Sequence, residues 1–186
     1  MKLLIRNTDR RNEADVGGLA EFLSVYTGDA EYGLPVEAVE YILTGQEVSC
    51  ESVKVDYDAM LGFLSWEGDT IPALDLGRHL DQGRASSPRT PPRWRSEGAV
   101  VIVEIEGRRY ALAADGVGSI IALPSSAVRP FPKEISAVVP ALFRGTTMIE
   151  GRVFTLLEVQ SVLSARVRAY LDSARDEFIE KKVATA

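Results

Sequence analysis

At 186 residues, 46% hydrophobic and 26% charged, the chain has the make-up of a soluble globular protein of one or two domains. A chain of this length typically buries about 70% of its unfolded surface, so its core needs no metal or disulfide; Cys50 is the single cysteine and no internal disulfide can form. The net charge of −6 disfavours nucleic acid and anionic membranes, both of which ask for a cationic face.

The opening "MKLLIRNTDRRNEADVGG" has only four apolar residues before Arg6, too few for the core of a signal peptide. Residues 1–18 are expected to be disordered. No later run approaches a membrane span, and the expected compartment is the cytoplasm. "SVYTGDAEYGLP" then sets Gly28–Asp29 between alternating apolar and polar residues. "FLSWEGDTIPAL", "IVEIEGRRYAL" and "TTMIEGRVFTLL" each set a Glu–Gly pair between two strand-like runs. Glycine supplies the positive φ of a tight hairpin, so four hairpins and a mainly β protein follow, as small barrels or a sandwich. Pro72 lacks an N–H and is expected at a sheet edge or bulge. "DQGRASSPRTPPRWRSEG", residues 81–98, reads as a loop. Apolar residues at 159, 162, 163, 167, 170, 171, 178 and 179 predict a C-terminal helix over 159–183.

The hairpins fall into two copies. Tyr32, Leu34, Glu37, Val39 and Ile42 match Tyr110, Leu112, Asp115, Val117 and Ile120 at an offset of 78. Gly62, Glu67, Gly68, Leu74, Asp75, Leu76 and Leu80 match Gly145, Glu150, Gly151, Leu157, Glu158, Val159 and Leu163 at an offset of 83. Two blocks recurring in one order point to duplication. The expected boundaries are a first barrel at about 19–80, the loop 81–98, a second barrel at about 99–158 and the helix.

No catalytic constellation emerges. Gly28, Gly68, Gly107 and Gly151 sit in turns, not in a glycine-rich loop opening a helix, so they do not form a phosphate cradle. Asp75 with Glu158, and Asp115 with Glu37, read as acids capping turns or helices rather than as a catalytic pair. His79 is the only histidine, which leaves little for a triad or metal cluster, and a solvated surface position is expected for it. Cys50 lies among acids, which do not activate a thiol. Arg89, Arg93 and Arg95 around Trp94 suit a loop more than a nucleic-acid contact, given the overall charge. Apolar residues in "VEAVEYIL" and "FLSW", such as Val39, Ile42 and Phe63, divide between core and a groove able to take a partner's amphipathic helix.

Taken together, "FLSVYTGDAEYGLPVEAVEYIL", "GFLSWEGDTIPALDL", "VVIVEIEGRRYALAADGVGSIIALP" and "FRGTTMIEGRVFTLLEVQSVL" resemble the CheW-like domain, the adaptor fold of bacterial chemosensory arrays, over residues 20–164. The resemblance implies an all-β fold of two pseudo-symmetric, intertwined SH3-like barrels in one CheW-like domain spanning 19–164, followed by the C-terminal α-helix. It implies a stand-alone adaptor with no catalysis, cofactor or metal. The implied partners are a histidine kinase's regulatory domain, a chemoreceptor's hairpin tip, and other CheW-like domains including its own copies. Partner-contact residues carried over from the family motifs are Val39, Glu40, Ile42, Leu43, Gly62, Phe63, Glu67, Gly68, Arg144 and Gly145. Two departures stand out: Tyr41 is inserted between Glu40 and Ile42, and Glu67 replaces the arginine that the family sets before the hairpin glycine to pair with the Glu40 position. Two facing carboxylates are then expected to repel and to raise one proton affinity. A divergent adaptor with altered kinase binding is the alternative; a small-ligand or enzymatic β-barrel is the remote one.

Overall fold

A computed structural model describes residues 3–4, 18–54, 56–81, 97–131 and 141–185. The hairpins form where the Gly–Asp and Glu–Gly pairs place them. Strand β2 (Leu19–Thr27) turns at Gly28 into β3 (Ala30–Pro35), and β6 (Met60–Trp66) turns at Glu67–Gly68 into β7 (Asp69–Asp75). In the second copy β8 (Ala99–Ile105) turns into β9 (Arg108–Ala114), and β11 (Phe143–Ile149) into β12 (Arg152–Leu157). In the three Glu–Gly turns glutamate shares the left-handed conformation: φ is 50° at Glu67, 53° at Glu106 and 49° at Glu150, with the glycines at 75–89°. Two positive φ values in succession make the type I′ turn, whose twist matches that of the strands it joins.

The duplication is written in the register. Val25 pairs with Tyr32 in one copy, and Val103 with Tyr110 in the other. Strand β4 (Val39–Thr44) sets Ile42 opposite Val101, while β10 (Gly116–Pro124) sets Ile120 opposite Leu23. Even the irregularities recur, between Val39 and Tyr41 and between Val117 and Ile120.

The ranges 19–80 and 99–158 mark the two copies, and neither closes a barrel by itself. Each sheet draws strands from both copies. One runs β1-β4-β8-β9-β7-β6-β5, where β1 is Leu3–Leu4 and β5 is Cys50–Glu51; the other runs β10-β2-β3-β12-β11. The chain changes sheet after Pro35, through the 3₁₀ turn Val36–Ala38, and again at Asp115. These two sheets are the two SH3-like barrels, intertwined as the resemblance implies. Tyr41, Leu43, Leu64, Ile71, Val100 and Ile102 fill one barrel, and Phe22, Leu123, Phe154 and Leu156 the other. The opposite faces meet in a shared core around Leu23, Val25, Val39, Val103, Tyr110 and Leu157, and that burial welds the copies into one domain.

Other expectations are refined. Leu3–Leu4 is not disordered but pairs antiparallel with Ile42 and Tyr41 at the edge of β4; residues 5–17 of the expected disordered segment, and 82–96 of the loop with Arg89, Arg93, Trp94 and Arg95, lie outside the described residues. Pro72 sits on an inner strand, but β7 meets β9 only from Ala73 onward, so the proline precedes that ladder. The C-terminal helix is two helices, α2 (Val159–Val162) and α3 (Ala165–Ala184), because Ser164 interrupts the run and caps α3, its Oγ accepting from the Val167 N–H at 3.4 Å. α2 is the counterpart of α1 (Leu76–Leu80), which Asp75 caps through the Arg78 N–H at 2.9 Å. His79, expected on the surface, is only 4% exposed between these two helices.

Candidate functional site

Glu40 and Glu67 do come together, in a charge cluster with two further charged members, Asp69 and Arg109. The irregularity in β4 sets Glu40 and Tyr41 beside the β6–β7 hairpin, and β9 brings Arg109 against both. Arg109 Nε donates to Glu40 Oε2 at 2.7 Å, its Nη2 donates to Glu40 Oε1, and its Nη1 donates to Asp69 Oδ2 at 2.7 Å. The guanidinium lies 5.7 Å from the centre of the Tyr41 ring. Tyr41 donates its hydroxyl to Glu67 Oε2 at 3.1 Å, and its ring meets Trp66 edge-on at 6.0 Å. The forked contact to Glu40, a charge-assisted bidentate pair, holds the Arg109 proton affinity above its usual range despite partial burial. Burial first, and then the bond to Glu67 with the nearby carboxylates, raises the Tyr41 phenol.

The expected clash of two carboxylates is therefore corrected. Glu40 keeps an opposite-charge partner, supplied by Arg109 on β9 instead of by the hairpin, and Glu67 is held by the inserted Tyr41. Sequence reasoning missed Arg109 and Asp69. The only trace was the run "EGRRY", which puts two arginines just past a hairpin turn.

The other carried-over residues divide by burial. Val39, Ile42 and Phe63 belong to the shared core, and Leu43 fills a barrel, so these four are corrected from docking surface to packing. Phe63 in particular is covered by α3, its ring stacked on Phe178 at 4.5 Å. Gly62 and Gly145 hold equivalent places where a second chain segment crosses: a Cβ would meet the Glu51 carbonyl oxygen at 2.0 Å or the Arg129 carbonyl oxygen at 2.6 Å. Glu67, Gly68 and Arg144 are exposed and Glu40 is half-buried, so the surface part of the set is polar. Apolar surface lies elsewhere: Met148 and Val153 face each other across the β11–β12 hairpin, 59% and 64% exposed.

Asp75 caps α1 as expected, and Asp115 Oδ2 accepts from the Gly28 N–H at 2.6 Å, tying the β2–β3 turn to the second copy. Among the described residues no three His, Cys, Asp or Glu side chains gather as metal ligands, and no helix is long and apolar enough to cross a membrane. A cavity of about 300 Å³ beside α3 is lined chiefly by Val53, Phe63, Tyr170, Ala174 and Phe178, with Lys54, Glu177 and Lys181 at its polar positions.

The chain matches the family model for the CheW-like domain over residues 21–167. It is 25% identical over 154 residues to a chemotaxis protein CheW of Klebsiella aerogenes, covering 82% of this chain and 87% of that one. To a chemotaxis protein CheW of Rhizobium meliloti it is 24% identical over 151 residues, covering 81% and 92%. Its backbone is similar to the crystal structure of the scaffolding protein TtCheW from Thermoanaerobacter tengcongensis, with a TM-score of 0.64, 18% identity, and coverage of 80% and 94%.

Proposed function

The chain belongs to the CheW-like domain family, and from that premise we propose that it serves as a scaffold of a chemosensory assembly, joining a receptor to a histidine kinase by protein–protein contact. Its work is geometric and not catalytic. No cofactor enters the reading, and the protein acts by holding other proteins at fixed spacing.

We assign the kinase's regulatory domain to the end of the barrel that carries Glu40, Tyr41, Glu67, Asp69 and Arg109. The carrying observation is the Arg109–Glu40 fork, which keeps a Glu–Arg pair at the family's position although Glu67 has replaced the usual arginine. An ion pair half-shielded from water and braced by Tyr41 presents a fixed pattern of charge, which gives specificity more than raw affinity. The receptor's helical tip would use the apolar surface of the β11–β12 hairpin, Met148 and Val153, with Arg144 on the same hairpin. Exposed aliphatic area on one face of this hairpin supports a protein-binding role here.

A second reading rests on Glu67 itself: the adaptor fold is kept while the altered hairpin selects a different signalling partner. The separating experiment measures binding of the kinase regulatory domain to the wild type and to Arg109→Glu. Binding by the wild type that Arg109→Glu abolishes supports the first reading. A folded wild type that does not bind supports the second.

A further inference from the structure

The two copies end their sheets differently. In the first, β4 would be an edge strand, but Leu3–Leu4 covers it, with Leu3 opposite Ile42 and Leu4 opposite Tyr41. The equivalent strand of the second copy is β10, where Ile120 stands for Ile42 by sequence offset and by register. Among the described residues β10 pairs with β2 alone, and its outer edge has no strand. Its nine residues, GVGSIIALP, contain no charge. Ser119 and Ala122 are exposed and Ile120 is 43% exposed. Open edges of soluble proteins are commonly blunted by lysines, inward charges or a covering segment. Here a bulge at Gly118–Ser119 and a terminal Pro124 are present, but the stretch from Ile120 to Leu123 has none of these protections.

We infer that the outer edge of β10 is a strand-addition site for an extended segment of a partner protein, running antiparallel, with two adjacent aliphatic residues opposite Ser119 and Ile120. The chain's own Leu3–Leu4 supplies the template, since it fills the same place on the equivalent edge. In sequence that pair is flanked by Lys2 and Arg6, and basic flanks also suit a chain of net charge −6. Main-chain hydrogen bonds would hold such a segment, and the side chain beside Ile120 would select it. The site is independent of the receptor and kinase assignments above.

The direct test is titration of the full-length, isotope-labelled protein with the peptide MKLLIRNT, read by amide chemical shifts. Saturable shifts confined to Ser119–Ala122 and adjoining β2, weakened roughly tenfold or more by Ile120→Lys with unchanged thermal unfolding, support the site. Absence of β10 shifts at about 1 mM peptide overturns it. So do shifts at Tyr41–Ile42 alone, which mean exchange with the resident strand, and β10 shifts that grow with protein concentration before any peptide is added, which mean self-pairing.

Discussion

His79 and Val162 occupy the same position in the two copies and are bonded to each other: the imidazole Nε2 donates to the Val162 carbonyl oxygen at 2.6 Å. The pair joins α1 to α2 near the approximate two-fold relation of the domain. In the neutral ring that burial favours, Nε2 carries the proton and Nδ1 is left to accept from the Tyr57 hydroxyl, also at 2.6 Å.

That geometry makes stability depend on pH. Burial lowers the His79 proton affinity below its usual value, against a smaller opposing effect of the Val162 carbonyl. The unfolded chain, titrating near 6.5, therefore takes up the proton first as pH falls. Stability from this group is full above that pH and is lost below it, towards the depressed folded value. Urea midpoints measured from pH 7.5 down to 5.5 should fall for the wild type and fall less for His79→Gln. The substitution itself should cost about 1–3 kcal/mol at pH 7.5, as it disturbs a buried carbonyl's partner.

Arg109→Gln should be a binding variant more than a folding variant. The arginine is partly exposed, and ion pairs so placed contribute about 1 kcal/mol or less to stability. Loss of the fork leaves Glu40 and Asp69 without their shared cation next to Glu67 and Tyr41. A fall in kinase-domain affinity, by roughly tenfold or more, should exceed the change in unfolding midpoint, and calorimetry on both quantities checks it.

Glu67→Arg restores the family's hairpin residue, but Glu40 already has its guanidinium; the change reverses an exposed charge on the assigned face and removes the acceptor of the Tyr41 hydroxyl, so kinase-domain affinity should fall by roughly fivefold or more. A large gain in binding would favour the altered-partner reading instead.

Three glycines should rank by space rather than by exposure. Gly62→Ala drives a methyl to within 2.0 Å of the Glu51 carbonyl oxygen at φ +134°, and should cost about 3 kcal/mol or more. Gly145→Ala meets the Arg129 carbonyl oxygen at 2.6 Å and should cost less. Gly68→Ala meets nothing within 4 Å and should lose only about 1–2 kcal/mol through its positive φ. Denaturant melts of the three variants give the order.

The repeat and the hairpins were legible in the sequence because they are local: an offset of 78 or 83 and a Glu–Gly turn need no knowledge of the third dimension. The resemblance implied intertwined barrels, but the place where the chain crosses was not legible. Whether β4 stays with β3 or joins β8 depends on the turn at Val36–Ala38, which has no signature beyond Pro35. Burial of His79 and the reach of Arg109 to Glu40 each involve residues 69 or more positions apart, brought together only once the sheets interlock. Ser164 did have a signal, a serine within a helical run, but the apolar period on either side masked the break.

The proposed role is physical coupling of a receptor to a kinase. Co-sedimentation of the purified chain with receptor-bearing membranes from its source cell, with and without the cognate kinase, tests it most directly. Kinase should enter the pellet only when the chain is present, and Arg109→Glu should leave the kinase in solution. A folded chain that stays in the supernatant while kinase and receptor assemble without it would contradict the claim.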